Sequence, residues 1–463
     1  MTPGGRARRD DRVPIAAAGD ALRQIVAAAV GNALEWYDFA VYGYFAVTIS
    51  TLFFPPEREW TALLATFGLF AVAYVVRPVA GIVLGHYADR FGRKAVLPFI
   101  MALMAVGSAL IALAPTYRTI GAAAPIVILA ARLLQGISAG GEFSSATAFL
   151  VEHAPPRLRG FYGAWQFSGQ GAAVLLSGIV GLLVTRSLSG DQLQAWGWRV
   201  PFALGAVVGP VGFYIRLRLS ETPAFLRAQA EKTDEEVSGF RALAALQRCI
   251  WVALGLVLGG TAAFYVLFVF LPTYAVKILD LGVGASLVAP VVAGSVITVL
   301  CPPMGYLSDR VGRWRMMGVA IVAFLVAVYP AFLWLRHAPG VTVLAIIEGG
   351  FGILFAAYAA PFSAAIAELF PVRARATAMA AAYNVGVALF GGGAPLIVTW
   401  LIAATGDPIA PAYYVAAGLL LSLASIAAMP RRLAGESPES GVPGDMVPRR
   451  RRQDRNRRQA HRP

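Results

Sequence analysis

Apolar positions in this chain come in long, nearly unbroken runs, and polar positions collect in the stretches between them. Each run is long enough to cross a hydrocarbon layer of ~30 Å as a helix of ~20 residues. Membrane β-strands would be shorter, with apolar and polar residues alternating, and that alternation is absent. The runs predict twelve spans, at 22–53, 60–84, 95–114, 122–150, 161–185, 199–218, 249–276, 285–304, 316–335, 341–368, 376–403 and 411–429. The fold class that follows is all-α: a polytopic membrane protein of about twelve transmembrane helices.

The pattern repeats. Gly85-His86-Tyr87-Ala88-Asp89-Arg90-Phe91-Gly92-Arg93-Lys94 follows the second span, and Gly305-Tyr306-Leu307-Ser308-Asp309-Arg310-Val311-Gly312-Arg313-Trp314 follows the eighth, an offset of 305 − 85 = 220. Glu152, Pro155, Arg157 and Arg159 end the fourth span, and Glu368, Pro371, Arg373 and Arg375 end the tenth with identical spacing, an offset of 368 − 152 = 216. Two matches at nearly one offset imply two pseudo-symmetric six-helix bundles, a plan that places a binding site between the halves near the bilayer midplane. The longest internal polar stretch separates them. The expected organisation is a cytoplasmic N-terminal segment (1–21), a first bundle (22–218), a cytoplasmic linker (219–248), a second bundle (249–429) and a basic, disordered cytoplasmic tail (430–463).

Composition changes the picture in one respect. The chain has 463 residues, 58% hydrophobic and 14% charged, with a formal net charge of +14. Such a charge alone would suggest nucleic acid, but the basic residues alternate between sides of the spans. Arg6, Arg8, Arg9, Arg90, Arg93, Lys94, Arg157, Arg159, Arg310, Arg313, Arg315, Arg373, Arg375 and the tail arginines fall on one side, against Arg58, Arg118, Arg186, Arg199, Lys277 and Arg336 on the other. Cytoplasmic loops collect Lys and Arg, so both termini are expected inside a bacterial inner membrane, and nucleic acid is not an expected partner. The first apolar segment is too long for a cleaved signal peptide. Cys249 and Cys301 read as small apolar fillers.

The string Gly85–Lys94 resembles the signature loop of the major facilitator superfamily. Gly31-Asn32-Ala33-Leu34-Glu35-Trp36-Tyr37-Asp38-Phe39, Arg77-Pro78 and Arg132-Leu133-Leu134-Gln135-Gly136-Ile137-Ser138-Ala139-Gly140-Gly141-Glu142 narrow the match. Together they resemble the metabolite:proton symporters, whose members carry citrate, α-ketoglutarate, shikimate or proline/betaine. The resemblance covers residues 22–430. In the second copy of the loop Trp314 stands in place of the final lysine, with Arg315 following. The resemblance implies a charge network that holds the bundle closed on the cytoplasmic side. It assigns Asp89, Arg90 and Arg93 to that gate, Asp309, Arg310 and Arg313 to its twin, and Glu152 and Glu368 as their acidic partners.

Ionised groups at bilayer depth are costly and face a cavity or a partner. Glu35 and Asp38 share a helix face with Asn32 and Tyr42. Arg132, Gln135, Ala139 and Glu142 form one stripe, flanked by Gly136, Gly140 and Gly141, which permit close helix contact. Arg132 and Glu142 stand ~15 Å apart along a helix, so each needs a partner on another span; Arg77 is placed to meet an acid from the first. A buried carboxylate without a full counter-charge can take and release a proton near neutral pH. Glu142 is the first candidate for proton coupling, with Glu35 and Asp38 beside it and Glu348 a weaker one. Arg132 and Arg77 are candidate receivers of a substrate carboxylate. Gln135, Trp165, Gln166, Gln170, Tyr265, Tyr383 and Asn384 bring hydrogen-bonding ends to apolar segments, where ordinary helix packing is the competing role.

His86, His153, His337 and His461 are scattered and lack metal-ligand spacing, and no phosphate-binding loop occurs, so neither an enzyme nor a resident cofactor is expected. Gly391-Gly392-Gly393 reads as close packing or a helix break. The expectation is a secondary active transporter, acting as a monomer among membrane lipids, that imports a small carboxylate with protons. An exporter or exchanger, a zwitterion symporter and a non-translocating metabolite sensor stand as alternatives.

Overall fold

A computed structural model of the protein describes residues 15–55, 59–91, 93–140, 142–152, 154–217, 246–370 and 375–429; within its helices the side chains at 15–28, 31, 82, 85–91, 93–98, 142, 145, 208, 210–217 and 376 lie outside the description. Twelve helical runs cross the described body. They are α1 (Ile15–Tyr44, continued by Ala46–Phe53), α2 (Glu59–Phe91), α3 (Arg93–Leu113), α4 (Ala123–Ala139, then Glu142–Glu152), α5 (Arg159–Ser187) and α6 (Arg199–Leu217). The second set is α7 (Gln247–Phe264 and Leu271–Lys277), α8 (Val288–Val311), α9 (Arg313–His337), α10 (Val341–Glu368), α11 (Arg375–Gly386 and Ala394–Thr405) and α12 (Ala410–Ala427). Among the described residues, eight helices are long and apolar enough to cross a membrane on their own, and α3 and α4 contain shorter apolar helices, Phe99–Leu113 and Ala123–Ala139. The helical body ends at Ala427, and Ala428–Pro463 form a separate unit.

Both halves use one packing scheme. In the first, α1 packs on α5 and α6, α4 on α2 and α3, and α3 on α6; in the second, α7 packs on α11 and α12, α10 on α8 and α9, and α9 on α12. Each pairing has its counterpart six helices on. Between the halves α5 meets α8 and α2 meets α11, again as counterparts. Apolar residues remain on the outer surface, as hydrocarbon solvent allows: Val75, Val79 and Val83 form an exposed stripe on α2, and Val319, Val322 and Val326 another on α9.

Three departures from plain α-helix lie near the meeting of the halves. The sequence predicts an unbroken span at 122–150, yet helix α4 lapses at Gly140. Gly140 is the point where α2 crosses: a Cβ there would lie 2.7 Å from the Arg77 carbonyl oxygen and 2.8 Å from the Gly81 nitrogen. In α7 the residues Tyr265–Phe270, and in α11 the residues Val387–Gly392, take a π-helical turn. The wider turn carries an extra residue, shifts the register of everything beyond it, and recurs at functional sites. The two π segments approach one another: a Cβ on Gly391 would meet the Tyr265 ring at 2.8 Å.

Candidate functional site

The arginine-rich loops lie at one end of the bundle, called here the basic end; Glu59, Lys277 and Val341 lie at the far end. Between them, at the meeting of the halves, is a small, partly open cavity lined by Trp36, Phe167, Gln170, Thr261, Tyr265, Tyr358, Tyr383 and neighbouring apolar groups. Its walls are mostly rings. Trp36 on α1 meets Phe264 edge-on at 5.6 Å, and Phe355 on α10 bridges Phe264 at 5.4 Å and Phe167 at 6.1 Å. Of the residues expected to contact substrate, Gln170, Tyr265 and Tyr383 line this space. Tyr265 belongs to the π segment of α7, which turns its ring into the first half against Tyr74, 5.3 Å away.

Behind Trp36 lies a buried charged layer. The Arg77 guanidinium sits over the rings of Tyr74 at 4.3 Å, Phe39 at 4.4 Å and Trp36 at 5.8 Å. The Arg132 guanidinium sits over Tyr42 at 4.3 Å, Phe39 at 4.9 Å and Phe70 at 5.0 Å. A desolvated cation over a ring face gains ~2 kcal/mol, so ring faces replace part of the lost hydration. Phe39 serves both cations. Arg132 donates to Gln135 Oε1 at 2.7 Å, Gln135 Nε2 donates to Ser108 Oγ at 3.0 Å, and Ser108 Oγ donates to Asp38 Oδ2 at 2.6 Å. Three helices thus build one chain from a guanidinium to a carboxylate. Asp38 Oδ1 has no hydrogen-bond partner, nor do Nε and Nη2 of either arginine. These atoms are sites where a proton or an anion would be received, since buried polar atoms otherwise find partners.

Sequence reasoning missed two members of this layer. Ser108 is a lone hydroxyl in an apolar run, indistinguishable in sequence from a packing serine. Gly205 of α6 abuts Asp38, and a Cβ there would collide with Oδ1. Glu35 is half-buried one turn before Asp38. The Glu142 side chain, the first candidate for proton coupling, lies outside the described residues.

The remaining expected contacts serve helix junctions. Gln166 and Asn32 join α5 to α1 by two bonds, Asn32 Nδ2 to the Gln166 carbonyl at 2.8 Å and Gln166 Nε2 to Asn32 Oδ1 at 3.0 Å. Asn384 Nδ2 donates to the Gly140 carbonyl at 2.7 Å, so α11 satisfies the backbone where α4 lapses. One residue before it, Tyr383 stacks on Phe143 of α4 with centroids 3.5 Å apart, forming the cavity's floor toward the basic end.

At the basic end the halves are tied directly. Asp309 at the end of α8 accepts from the backbone of Gly160 at 2.8 Å and of Phe161 at 3.0 Å, in the first turn of α5. An acid at a helix N-terminus meets unpaired N–H groups and the positive end of the dipole. Arg313 donates to Asp309 at 2.9 Å and pairs with Glu368. Glu368 also meets Arg159 at 3.6 Å, and Glu152 pairs with Arg375 at 3.2 Å, both across the halves. Among the described residues, Glu152 therefore pairs with the counterpart-motif arginine Arg375. Arg310 is exposed and lies over the Tyr306 ring of its own helix. The side chains of Asp89, Arg90 and Arg93 are outside the described residues. At the far end Lys277 of α7 pairs with Glu59 of α2, and the Tyr44 hydroxyl of α1 donates to the Phe268 carbonyl of α7 at 3.0 Å. Contacts between the halves thus join them at both ends, on either side of the cavity.

Residues 24–248 match a family profile described as "Sugar (and other) transporter", and residues 296–458 match one described as "Major Facilitator Superfamily". The chain is 37% identical over 405 residues to a citrate-proton symporter of Salmonella typhi, covering 87% of this chain and 93% of that one. It is 36% identical over 401 residues to an ectoine/proline transporter of Corynebacterium glutamicum, covering 83% and 79%. Among solved structures, the xylose transporter from E. coli in a partially occluded inward-open conformation superposes with a TM-score of 0.71 at 18% identity, covering 87% of this chain and 96% of that one. A second, a D-xylose-proton symporter, gives 0.70 at 20% identity, covering 91% and 99%. At such identities the likeness of structure speaks for the fold.

Proposed function

The chain belongs to the major facilitator superfamily, in the group that includes citrate-proton symporters and proline/betaine transporters, and on that premise we propose that it is a proton-driven symporter of a small metabolite bearing a carboxylate. The observation that carries this is the buried chain Asp38–Ser108–Gln135–Arg132 beside a ring-lined cavity between the halves. A carboxylate and a guanidinium share one hydrogen-bonded path without pairing directly. Protonation of Asp38 removes its pull on that path and leaves Arg132 with a surplus of charge. An anionic substrate group restores the balance, which makes proton and substrate binding mutually favourable. Glu35 and Glu142 are the other proton-coupling candidates on the same helices.

Substrate enters the ring-lined cavity. Gln170, Tyr265 and Tyr383 offer it hydrogen bonds, and Arg77, one ring behind Trp36, receives the carboxylate when Trp36 and Tyr74 shift. Gln135 orients Arg132, and Gln166 and Asn384 fix the helices around the site. Alternating access follows from the two sets of cross-half contacts. Asp309, Arg313, Glu152 and Glu368, with the loop Asp89–Arg93 as counterpart, release the cytoplasmic side, and Glu59–Lys277 releases the outside. This orientation takes the basic end as cytoplasmic, with both termini inside a bacterial inner membrane, and the working unit as one chain.

A second reading rests on the same cavity. Its walls are rings, which suit the cationic end of a zwitterion such as a quaternary ammonium acid better than the extra carboxylates of citrate. The experiment is uptake into membrane vesicles under an imposed inward-acid or outward-acid gradient, with labelled citrate, α-ketoglutarate, shikimate, proline and betaine. Accumulation that follows the proton gradient inward establishes symport, and the substrate that accumulates settles its class. Flux in the opposite sense assigns an exporter or exchanger; binding without flux assigns a sensor.

A further inference from the structure

The second half holds a buried acid outside the path just described. Glu348 lies on α10, fully buried, with neither carboxyl oxygen in a hydrogen bond. It stands two turns from Val341, so ~10 Å inside the far end of its helix. It shares a face with Leu344, Phe351 and Phe355, and Phe355 lines the cavity. Glu348 therefore sits on the far-end approach, between the cavity and the surface.

Its surroundings offer nothing to offset a charge. Helix α8 brings Val292, Ala293 and Val296 to the adjacent Gly349 and Gly352, and α9 brings Phe324 against Phe351. Helix α1 brings the neutral phenol of Tyr44 near Glu348, and Tyr44 is the titratable group that faces it. No cationic side chain faces it among the described residues. A dehydrated carboxylate without a partner costs several kcal/mol, so this packing accommodates the neutral acid. Tyr44 is also the residue whose hydroxyl ties α1 to the Phe268 carbonyl in the π segment of α7. The neighbouring Gly43 abuts Val269 of the same segment. The acid and the seam that closes the far end share one residue.

We propose that Glu348 is a second proton-binding site, distinct from Asp38, whose occupancy permits the far end to close. With the proton bound, the carboxyl is neutral and α1 seats against the π segment. With the proton lost, the charge needs water, and hydration requires Tyr44 and Phe268 to part. Closure therefore takes up a proton at Glu348, and opening gives that proton to the outside. The assignment of that side rests on the orientation proposed above; the coupling of closure to the proton does not.

The test needs no substrate and no flux. Spin labels are placed at Thr51 on α1 and Gly282 beyond α7, in full-length protein with Cys249 and Cys301 replaced, reconstituted in lipid nanodiscs. Pulsed dipolar distances are measured from acid to alkaline pH. The expected result is a short distance at acid pH that gives way to a longer one as pH rises. In E348Q, which keeps the shape and cannot ionise, the short distance persists throughout. In E348D the shift returns, and in D38N it is unchanged. A distance indifferent to pH in the unsubstituted background, a shift that survives in E348Q, or one lost in D38N overturns the proposal. A chain that failed to transport any tested metabolite would still give the distance shift.

Discussion

In the first half, Glu35, Asp38, Arg77 and Arg132 lie at membrane depth on three helices, joined by Ser108 and Gln135 and cushioned by rings. In the second half, the described residues at comparable depth include one such group, Glu348, and the distinctive features are two π-helical segments and a wall of aromatic residues. The helix pairings are the same in both. A symmetric frame therefore carries asymmetric chemistry: charge is concentrated in one half, and the other supplies shape, π turns within its spans and a solitary acid. The lesson is that packing symmetry constrains which helices meet, and leaves open what they carry to the meeting.

That contrast can be broken most severely at Phe39, whose ring serves both arginines. Phe39→Ala should cost about 3–5 kcal/mol, seen as a lower thermal midpoint in detergent; an unchanged midpoint would show that the ring faces do not support the cations. Asp38→Asn should lower proton-driven accumulation ~100-fold, about 2.7 kcal/mol, while substrate exchange at equal pH continues in vesicles. If accumulation persists, proton coupling belongs to Glu142 or Glu35. Matched alanines at Gly205 and Gly392 should each destabilise by about 1–3 kcal/mol, the first by crowding Asp38 and the second by crowding Tyr74 across the halves. Melting in the presence and absence of substrate separates them, because Gly392→Ala should also weaken binding. Tyr265→Phe removes a buried hydroxyl whose polar neighbour is Tyr74, and should weaken substrate binding by about 1 kcal/mol with little change in stability. Smallest is Glu368→Gln at the part-exposed basic end, worth under ~1 kcal/mol, detectable as faster labelling of a cysteine placed in the cavity from the basic side.

The fold was legible because hydrocarbon solvent writes long apolar runs into any chain that crosses it, and because the Gly85 and Gly305 strings repeat in register. The π segment of α7 left no trace, since an inserted residue changes no hydropathy, whereas that of α11 ends in Gly391-Gly392-Gly393, the string that reads as close packing or a helix break. At the site, Asp38 and Arg132 stand out in the sequence as charges in apolar runs. The partners of Asp38, Ser108 from α3 and Gly205 from α6, come from distant sequence that no local pattern connects. The ring cradles were hidden for the same reason: Phe39, Tyr42, Phe70 and Tyr74 look like ordinary span residues until two helices meet.

The seam between α5 and α8 is built on glycines. Cβ atoms at Gly160, Gly171, Gly178, Gly294 and Gly305 would meet the facing helix at 2.4–2.9 Å. Lipid tails give no incentive for apolar helices to associate, so bare backbone contact supplies the adhesion. This bears on how the chain is assembled in a cell. Each half emerges from the ribosome and inserts in turn, and the late-arriving α8 must recognise α5 among many competing greasy surfaces. A groove that only another backbone can fill is an address, so halves synthesised as two separate polypeptides should still find one another.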